Sequence, residues 1–239
     1  MYYIKSRETF TKIDSDGFFT NEFNIALDLL NRPITNCHYE SSLIEWCVDQ
    51  LVQSDKNFVD IGAHIGTWSW VAAKKAKHTY SFECNPHVYN CLCANIGLKG
   101  LSHKTTTYNT ALSDKNELST YYFRSDDGGG NGLVRLNEND DKLNKLTVTT
   151  KKLDDYDISN IGFMKIDVEG AELNVLKGAT KTLMESDYPK FIFECWSEDQ
   201  VEKNGYPKNL KQDLFEYINS LEYRLQPING WPHMFLAHR

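Results

Sequence analysis

The sequence predicts an α/β fold in which helices cover both faces of a mostly parallel β-sheet. From residue 57 onward, short apolar runs alternate with stretches of helical periodicity. Connections of this length lead through a helix to the next parallel strand, so both faces of the sheet become covered. Residues 116–150 break the alternation and predict an antiparallel insertion. Residues 1–55 show no linker-like composition, and we expect them to cap the domain formed by residues 56–239.

The individual elements are predicted from periodicity and from the residues that begin and end helices. Sheet strands are expected at residues 57–61, 79–83, 105–112, 163–168 and 190–194, and the two strands of the inserted ribbon at 118–123 and 146–150. Helices are expected at residues 21–31, 67–77, 86–100 and 171–184, with one more beginning at the capping residues Ser41 and Ser42. Turns are expected at Asp14-Ser15-Asp16-Gly17, within an N-terminal hairpin, and in the glycine-rich loop 128–132 of the ribbon.

Composition limits the partners of the chain. Its 239 residues include 26 Lys and Arg against 33 Asp and Glu, which gives a formal net charge of −7. Because such a protein repels a phosphate polymer, the charge argues against a nucleic-acid partner. No leader peptide is visible and no apolar run reaches the roughly 18 residues of a membrane span, so we expect a cytoplasmic protein without a membrane partner. The six cysteines are then expected to be reduced thiols.

Acidic residues and glycines follow the first two strands of the repeating pattern. Asp60 ends the first strand, and Gly62 and Gly66 frame a turn where the backbone can approach a ligand closely. Glu83 ends the second strand, where a carboxylate can bind both hydroxyls of a ribose. A dinucleotide site shares this layout, but its fingerprint requires a second glycine at the position of His64. Asp60 would repel a pyrophosphate but could receive the amino group of a methionine, directly or through water, which favours S-adenosylmethionine over NAD.

The chain also resembles the FkbM-type methyltransferases. The stretches that carry the resemblance are Val59-Asp60-Ile61-Gly62-Ala63-His64-Ile65-Gly66, Phe82-Glu83-Cys84-Asn85-Pro86, Asn109-Thr110-Ala111-Leu112-Ser113-Asp114 and Met164-Lys165-Ile166-Asp167-Val168-Glu169-Gly170-Ala171-Glu172-Leu173. The resemblance implies a class-I methyltransferase (Rossmann-like) fold and the O-methylation of a hydroxyl on a sugar, a glycan or a small natural product. His64 stands where the family typically has Asn, and Cys84 where it often has Pro.

The pattern and the resemblance together define the expected cofactor site. Thr110 and Ala111 enter it only through the resemblance, which implies that they border the adenine. The residues expected to bind S-adenosylmethionine are Asp60, Gly62, Ala63, His64, Gly66, Thr67, Glu83, Cys84, Asn85, Thr110, Ala111 and Asp167.

Three residues at the ends of the fourth and fifth strands are the expected catalytic groups. Because strand side chains alternate, Lys165 and Asp167 share one face, so Lys165 could hold Asp167 ionised or bury its stem beneath the site. Asp167 and Glu194 could act as base and orienting group toward an acceptor hydroxyl. Alternatively, both could bind Mg²⁺ together with a third carboxylate, Glu169 or Asp199. Capping of the following helix start is an equally good interpretation of Glu169.

Other functions stay open on the sequence alone. A ribose 2′-O-methyltransferase could use Lys165, Asp167 and Glu194, but the net charge argues against a nucleic-acid acceptor. A cofactor-binding scaffold without catalysis would keep the same turn and acids, and a NAD-dependent oxidoreductase would share the layout. The sequence predicts neither the acceptor nor the oligomeric state.

Overall fold

Three short antiparallel strands begin the chain in the computed structural model, which describes residues 2–6, 9–13, 19–21, 40–124, 131–134, 143–203 and 206–239. They are β1 (Tyr2–Ser6), β2 (Thr9–Ile13) and β3 (Phe19–Asn21). Strand β2 pairs with both neighbours, so the predicted N-terminal hairpin is confirmed. The turn predicted at residues 14–17, Cys37 and the helix predicted at 21–31 lie outside the described residues, apart from Asn21, which ends β3.

The remaining strands build two further sheets. They are β4 (Asn57–Ile61), β5 (Thr79–Phe82), β6 (Thr105–Tyr108), β7 (Ala111–Leu112), β8 (Glu117–Arg124), β9 (Leu143–Lys151), β10 (Ile161–Ile166), β11 (Lys190–Glu194), β12 (Arg224–Ile228) and β13 (Trp231–His238). A seven-stranded sheet has the order β12-β13-β11-β10-β4-β5-β6 and is parallel except at β13, which pairs antiparallel with β11 and β12. Strands β7, β9 and β8 form the third sheet, in which β8 and β9 are the predicted antiparallel ribbon.

Helices cover both faces of the seven-stranded sheet. They are α1 (Ser41–Leu51), α2 (Thr67–Ala73), α3 (Pro86–Leu98), α4 (Glu172–Lys177), α5 (Thr180–Glu185), α6 (Glu198–Lys203) and α7 (Leu210–Ser220). Side chains of each strand alternate between the faces. Phe58 packs with α1 and α2, whereas Val59, the next residue of β4, packs with α4, α5 and α7. Among the described residues, no helix is both long and apolar enough to span a membrane.

Two predicted elements are each divided in the structure. The expected strand at 105–112 becomes β6 and β7, which belong to different sheets. The expected helix at 171–184 is interrupted at Gly178, so that α4 and α5 pack separately. A side chain at Gly178 would overlap the carbonyl oxygen of Ser113, so the packing of this turn against the chain after β7 accounts for the break. Periodicity along the sequence does not predict such a contact, because it contains no information on what the helix packs against.

The start of α1 also differs from the prediction. Neither Ser41 nor Ser42 caps the helix; the residue before it, Glu40, has φ 71° and makes no side-chain capping hydrogen bond. The carboxylate of Glu40 is used elsewhere, as an acceptor for the indole N–H of Trp68. This contact ties the start of α1 to α2 at one end of the sheet.

The crossovers bring the carboxyl ends of the parallel strands to one edge of the sheet. Ligands of open α/β sheets bind at this edge. The side chains after β4, β5, β10 and β11 meet there, and they include the acidic residues singled out by the sequence. The prediction that residues 1–55 cap the same domain stays a prediction, although β3 lies next to α3.

Substitution of Gly178 by Ala is expected to lower the free energy of unfolding by about 1–3 kcal/mol, because the added methyl group must displace the backbone at Ser113. The matched control is Gly97→Ala in α3, where the nearest atom to an added Cβ is 4.0 Å away. That control should be neutral or stabilising by up to about 1 kcal/mol. Urea unfolding of both variants checks this, and equal effects would contradict the packing explanation.

Candidate active site

The turn between β4 and α2 is shaped by positive backbone angles and by the chain packed against it. Gly62 has φ 75°, His64 φ 52° and Gly66 φ 93°. A Cβ at Gly62 would overlap the carbonyl oxygen of Asp167, and one at Gly66 would lie 2.6 Å from Cδ1 of Leu92. Close approach of a ligand is the reason for these glycines that the sequence suggests. The structure adds a reason that needs no ligand: neighbouring parts of the chain occupy the space of a side chain.

A buried ion pair lies behind this turn. Asp60 and Lys165 are buried, and the Lys165 ammonium group lies 3.8 Å from Oδ1 of Asp60 and 3.3 Å from Oδ2 of Asp167. The same ammonium donates a hydrogen bond of 2.7 Å to the carbonyl oxygen of Gly62. Ser69 of α2 donates to Oδ2 of Asp60 at 2.5 Å. Burial opposes the charge of Lys165, but Asp167, Asp60 and Glu40 outweigh it and raise the pKa of the ammonium group above its usual range.

Glu83 holds two turns of the cofactor region together. Its carboxylate accepts hydrogen bonds from the backbone N–H of His64 at 2.9 Å and of Asn85 at 2.8 Å. Burial raises the pKa of Glu83 to about 7, against the opposing effect of these two donors. Each carboxylate oxygen keeps further acceptor capacity, because an ionised carboxylate has about four lone-pair sites. Glu83 can therefore support the turns and accept hydrogen bonds from a ligand at the same time.

Asn109 links the Glu83 strand end to the predicted adenine border. Its amide nitrogen donates to the carbonyl oxygens of Glu83 at 2.9 Å and Cys84 at 3.0 Å. Thr110 and Ala111 follow directly, so they lie at the same sheet edge as Cys84. The structure thus brings the end of the second parallel strand, residues 83–85, close to Thr110 and Ala111. Asp60, in contrast, is fully buried behind the turn.

The loop after β10 is held by its own acidic residue. Glu169 has φ 55° and Gly170 φ 93°, so two successive residues are in the left-handed region. The buried carboxylate of Glu172 accepts hydrogen bonds from the backbone N–H groups of Val168 at 3.1 Å and Gly170 at 3.2 Å. Glu172 therefore stabilises the start of α4 and fixes the direction of the loop that carries Asp167 and Glu169.

Three half-buried carboxylates meet at the ends of β10 and β11. Oxygen atoms of Asp167, Glu169 and Glu194 all lie within 4.8 Å of one another, an arrangement that can hold a metal ion. Burial, followed by the negative charge of Asp167, raises the pKa of Glu194 to about 8. Asp199, the other carboxylate considered from the sequence, is exposed on α6 and is not part of this group.

The sequence did not single out two residues that border this group. Glu40 accepts a hydrogen bond of 3.0 Å from the indole N–H of Trp68. Burial, followed by the charge of Asp167, raises the pKa of Glu40. Tyr206 is 5% exposed and forms an edge-to-face contact with Trp196 at 4.9 Å between ring centres. No motif marks either residue: Glu40 precedes the repeating pattern, and Tyr206 follows the last stretch that resembles a known family.

The strand order and the acids at the ends of β4, β5 and β10 define the class of the protein: a class-I S-adenosylmethionine-dependent methyltransferase fold. The family model described as the methyltransferase FkbM domain matches residues 60–225, and the chain belongs to this family. The predicted resemblance and fold class are confirmed, and the chain is a methyltransferase. Hexuronic acid methyltransferase AglP from Haloferax volcanii is 24% identical over 185 residues, which cover 73% of this chain and 75% of that protein.

Solved structures share the fold at low sequence identity. Methyltransferase FkbM from Methylobacillus flagellatus KT has a TM-score of 0.54 at 19% identity, and the match covers 87% of this chain and 48% of that one. This chain therefore spans about half the length of that protein. Precorrin-6y C5,15-methyltransferase from Geobacter metallireducens GS-15 has a TM-score of 0.51 at 11% identity over 85% of this chain and 91% of that chain. At these identities the likeness supports the fold and not the acceptor.

Substitution of Lys165 by Met is expected to cost about 3–5 kcal/mol of stability, because it leaves the buried Asp60 carboxylate without its cation. The control is Lys181→Met, which removes an exposed ion pair with Glu185 and should change stability by less than about 0.5 kcal/mol. Denaturant unfolding at neutral pH measures both. A loss for Lys165→Met as small as the control would contradict a structural role for the buried pair.

Proposed function

We propose that this chain transfers a methyl group from S-adenosylmethionine to a hydroxyl group of a sugar, in a glycan or a small natural product. The observation that carries the proposal is the position of Asp167 and Glu194. These carboxylates end neighbouring strands at the edge where the glycine turn and Glu83 lie. An acceptor bound between them would lie next to a methyl donor held by the turn.

The residues at this edge fit S-adenosylmethionine. Glu83 offers unused acceptor capacity for two ribose hydroxyls, Asn85 and Asn109 flank it, and Ala111 packs with the neighbouring Cys84. The turn from Gly62 to Gly66 lies at the same edge and leads into the N-terminus of α2, whose first N–H groups would be available to a ligand. Asp60 is fully buried, so it would contact a methionine amino group through water or act by fixing the turn. When bound, the cofactor supplies an electrophilic methyl group.

The chain's own residues position the acceptor and receive its proton. Methyl transfer to oxygen requires the attacking oxygen to be aligned with the methyl group and freed of its proton. Lys165 lies 3.3 Å from Asp167, and this ion pair would fix the position of the Asp167 carboxylate. Glu194, on the next strand, would orient the hydroxyl. Lys165 would thus be a positioning residue, because its ammonium group is buried and occupied by Asp60, Asp167 and Gly62.

The sugar class is supported by the similarity to a hexuronic acid methyltransferase. A ribose in a nucleic acid fits less well. The buried Lys165 is not available to an acceptor, and the net charge of −7 repels a polyphosphate.

Calorimetric titration of S-adenosylmethionine, S-adenosylhomocysteine and NAD tests the cofactor assignment. The two sulfur compounds should bind and NAD should not. Glu83→Ala should lose binding of the cofactor directly. Asp60→Ala should lose it because the turn becomes disordered, and a lower thermal stability of this variant would reveal that disorder.

The class of acceptor is tested by incubating the protein with labelled donor and with neutral, amino or uronic sugars. Binding of NAD alone would end the methyltransferase proposal, and donor binding without transfer to any sugar would favour the scaffold alternative.

The affinity for S-adenosylmethionine is expected to fall as the pH drops below about 7. Burial raises the pKa of Glu83 to about 7, and Lys165 and Asp60 also face this group with opposing effects. Because only the ionised carboxylate accepts from both ribose hydroxyls, the association constant should fall by up to about tenfold per pH unit below that pKa. Glu83→Gln should bind more weakly with a nearly flat profile between pH 5.5 and 8.5. An equal slope in the variant would assign the titration to another group.

A further inference from the structure

We propose that Asp167, Glu169 and Glu194 bind one divalent cation of the Mg²⁺ or Mn²⁺ type, and that Tyr206 hydrogen-bonds to a water or acceptor oxygen on that cation. The role of the cation rests on the proposed function, because the cation would bind the acceptor hydroxyl and make it more acidic. The test of the site does not depend on that function, because cation binding is measured without donor or acceptor.

The three carboxylates have the geometry of an oxygen-donor site. Their oxygen atoms lie within 4.8 Å of one another. Oxygens on opposite sides of a Mg²⁺ ion are separated by about 4.2 Å, and those around Ca²⁺ by about 5 Å, so oxygens within 4.8 Å of one another need only small side-chain shifts to bind one cation together. All three residues are half-buried, which leaves positions on the cation open to water and to an acceptor. Carboxylate ligands without Cys or His select hard cations over zinc or copper.

A second and independent observation comes from Tyr206. Its side chain is 5% exposed, and within the described part of the chain its hydroxyl makes no hydrogen bond. Burial raises the pKa of Tyr206 above its usual range, and the negative charges of Glu169, Glu172, Glu194 and Asp167 raise it further. Cζ, the ring carbon that bears the hydroxyl, would lie 3.6 Å from an added Cβ at Gly170, the residue after Glu169. A buried hydroxyl without a partner costs about 1–3 kcal/mol. A water or an acceptor oxygen on the cation would provide that partner.

The ring of Tyr206 is held in this orientation by its surroundings. An added Cβ at Gly170 would lie 2.7 Å from Cε1 of Tyr206, so the loop after β10 packs directly on the ring. Trp196 contacts the ring from the loop after β11. Both loops that supply carboxylates therefore also fix Tyr206, and the hydroxyl cannot turn away without disturbing them.

A cation also resolves an electrostatic problem of the proposed function. Three carboxylates this close repel one another and repel any anionic sugar. Lys165 pairs with Asp167 and also with Asp60, so its single positive charge is shared between two carboxylates. A divalent cation would attract the acceptor oxygen and lower the pKa of its hydroxyl, and it would let a uronic acid approach the same site.

Binding of Mn²⁺ to the whole chain, followed by electron paramagnetic resonance and by calorimetry, tests the proposal. Wild-type protein should bind one Mn²⁺, and Mg²⁺ should displace it. Glu169→Gln and Glu194→Gln should each weaken binding at least tenfold, and Tyr206→Phe by about tenfold through loss of the outer hydrogen bond. The matched control is Glu198→Gln, an exposed carboxylate of α6, which should leave the affinity unchanged. Thermal unfolding of each variant without metal separates a lost ligand from a lost fold.

The outcomes separate this inference from the proposed function. Failure of wild-type protein to bind Mn²⁺ at millimolar concentration, while S-adenosylmethionine binds, would overturn the cation site and leave methyl transfer standing. Equal affinities for wild type, Glu169→Gln and Glu194→Gln would also overturn the site. An unchanged affinity in Tyr206→Phe would remove Tyr206 from it. Binding of Mn²⁺ with the expected losses, in a protein that does not bind S-adenosylmethionine, would support the cation site and reject the proposed function.

Discussion

The buried ammonium group of Lys165 is the interaction on which the rest of the candidate site depends. It pairs with Asp60 at the end of β4 and with Asp167 after β10, and it donates to the carbonyl oxygen of Gly62 in the turn. Removing these charges from water is costly, so the arrangement persists only because each charge has partners. One side chain thus contacts the glycine turn and Asp167 together, and it couples the position of the turn to that of the loop after β10.

Acidic residues at this sheet edge differ in the number of backbone N–H groups that they accept. Glu83 and Glu172 each accept two backbone N–H groups, and they hold the turns around the site in place. Asp167 and Glu194 end neighbouring strands and face one another across the edge. What separates the two pairs is the number of backbone donors that each carboxylate accepts, and this number follows from the loop geometry.

Much of the fold follows from local periodicity, and its failures have physical causes. The strands at 57–61 and 190–194 have the predicted bounds, because a run of buried residues between turn residues determines a central strand. The helix at 171–184 is divided because Gly178 packs on the backbone of Ser113, a contact with a residue 65 positions earlier in the chain. Strands β12 and β13 were not predicted, because their exposed and buried residues do not alternate with the period of two that indicates a strand.

The sequence by itself determined the family, the glycine turn and the acids that end each strand, because these features depend on residues close together in the chain. Only the tertiary structure decided which acids meet. Glu169 lies in the loop after β10 and Glu194 ends β11, and Glu40 and Tyr206 reach the site from opposite ends of the chain. It also decided that Asp60 is buried while Glu83 keeps free acceptor capacity. Burial and hydrogen-bond partners are set by packing between distant segments, and local sequence patterns do not predict that packing.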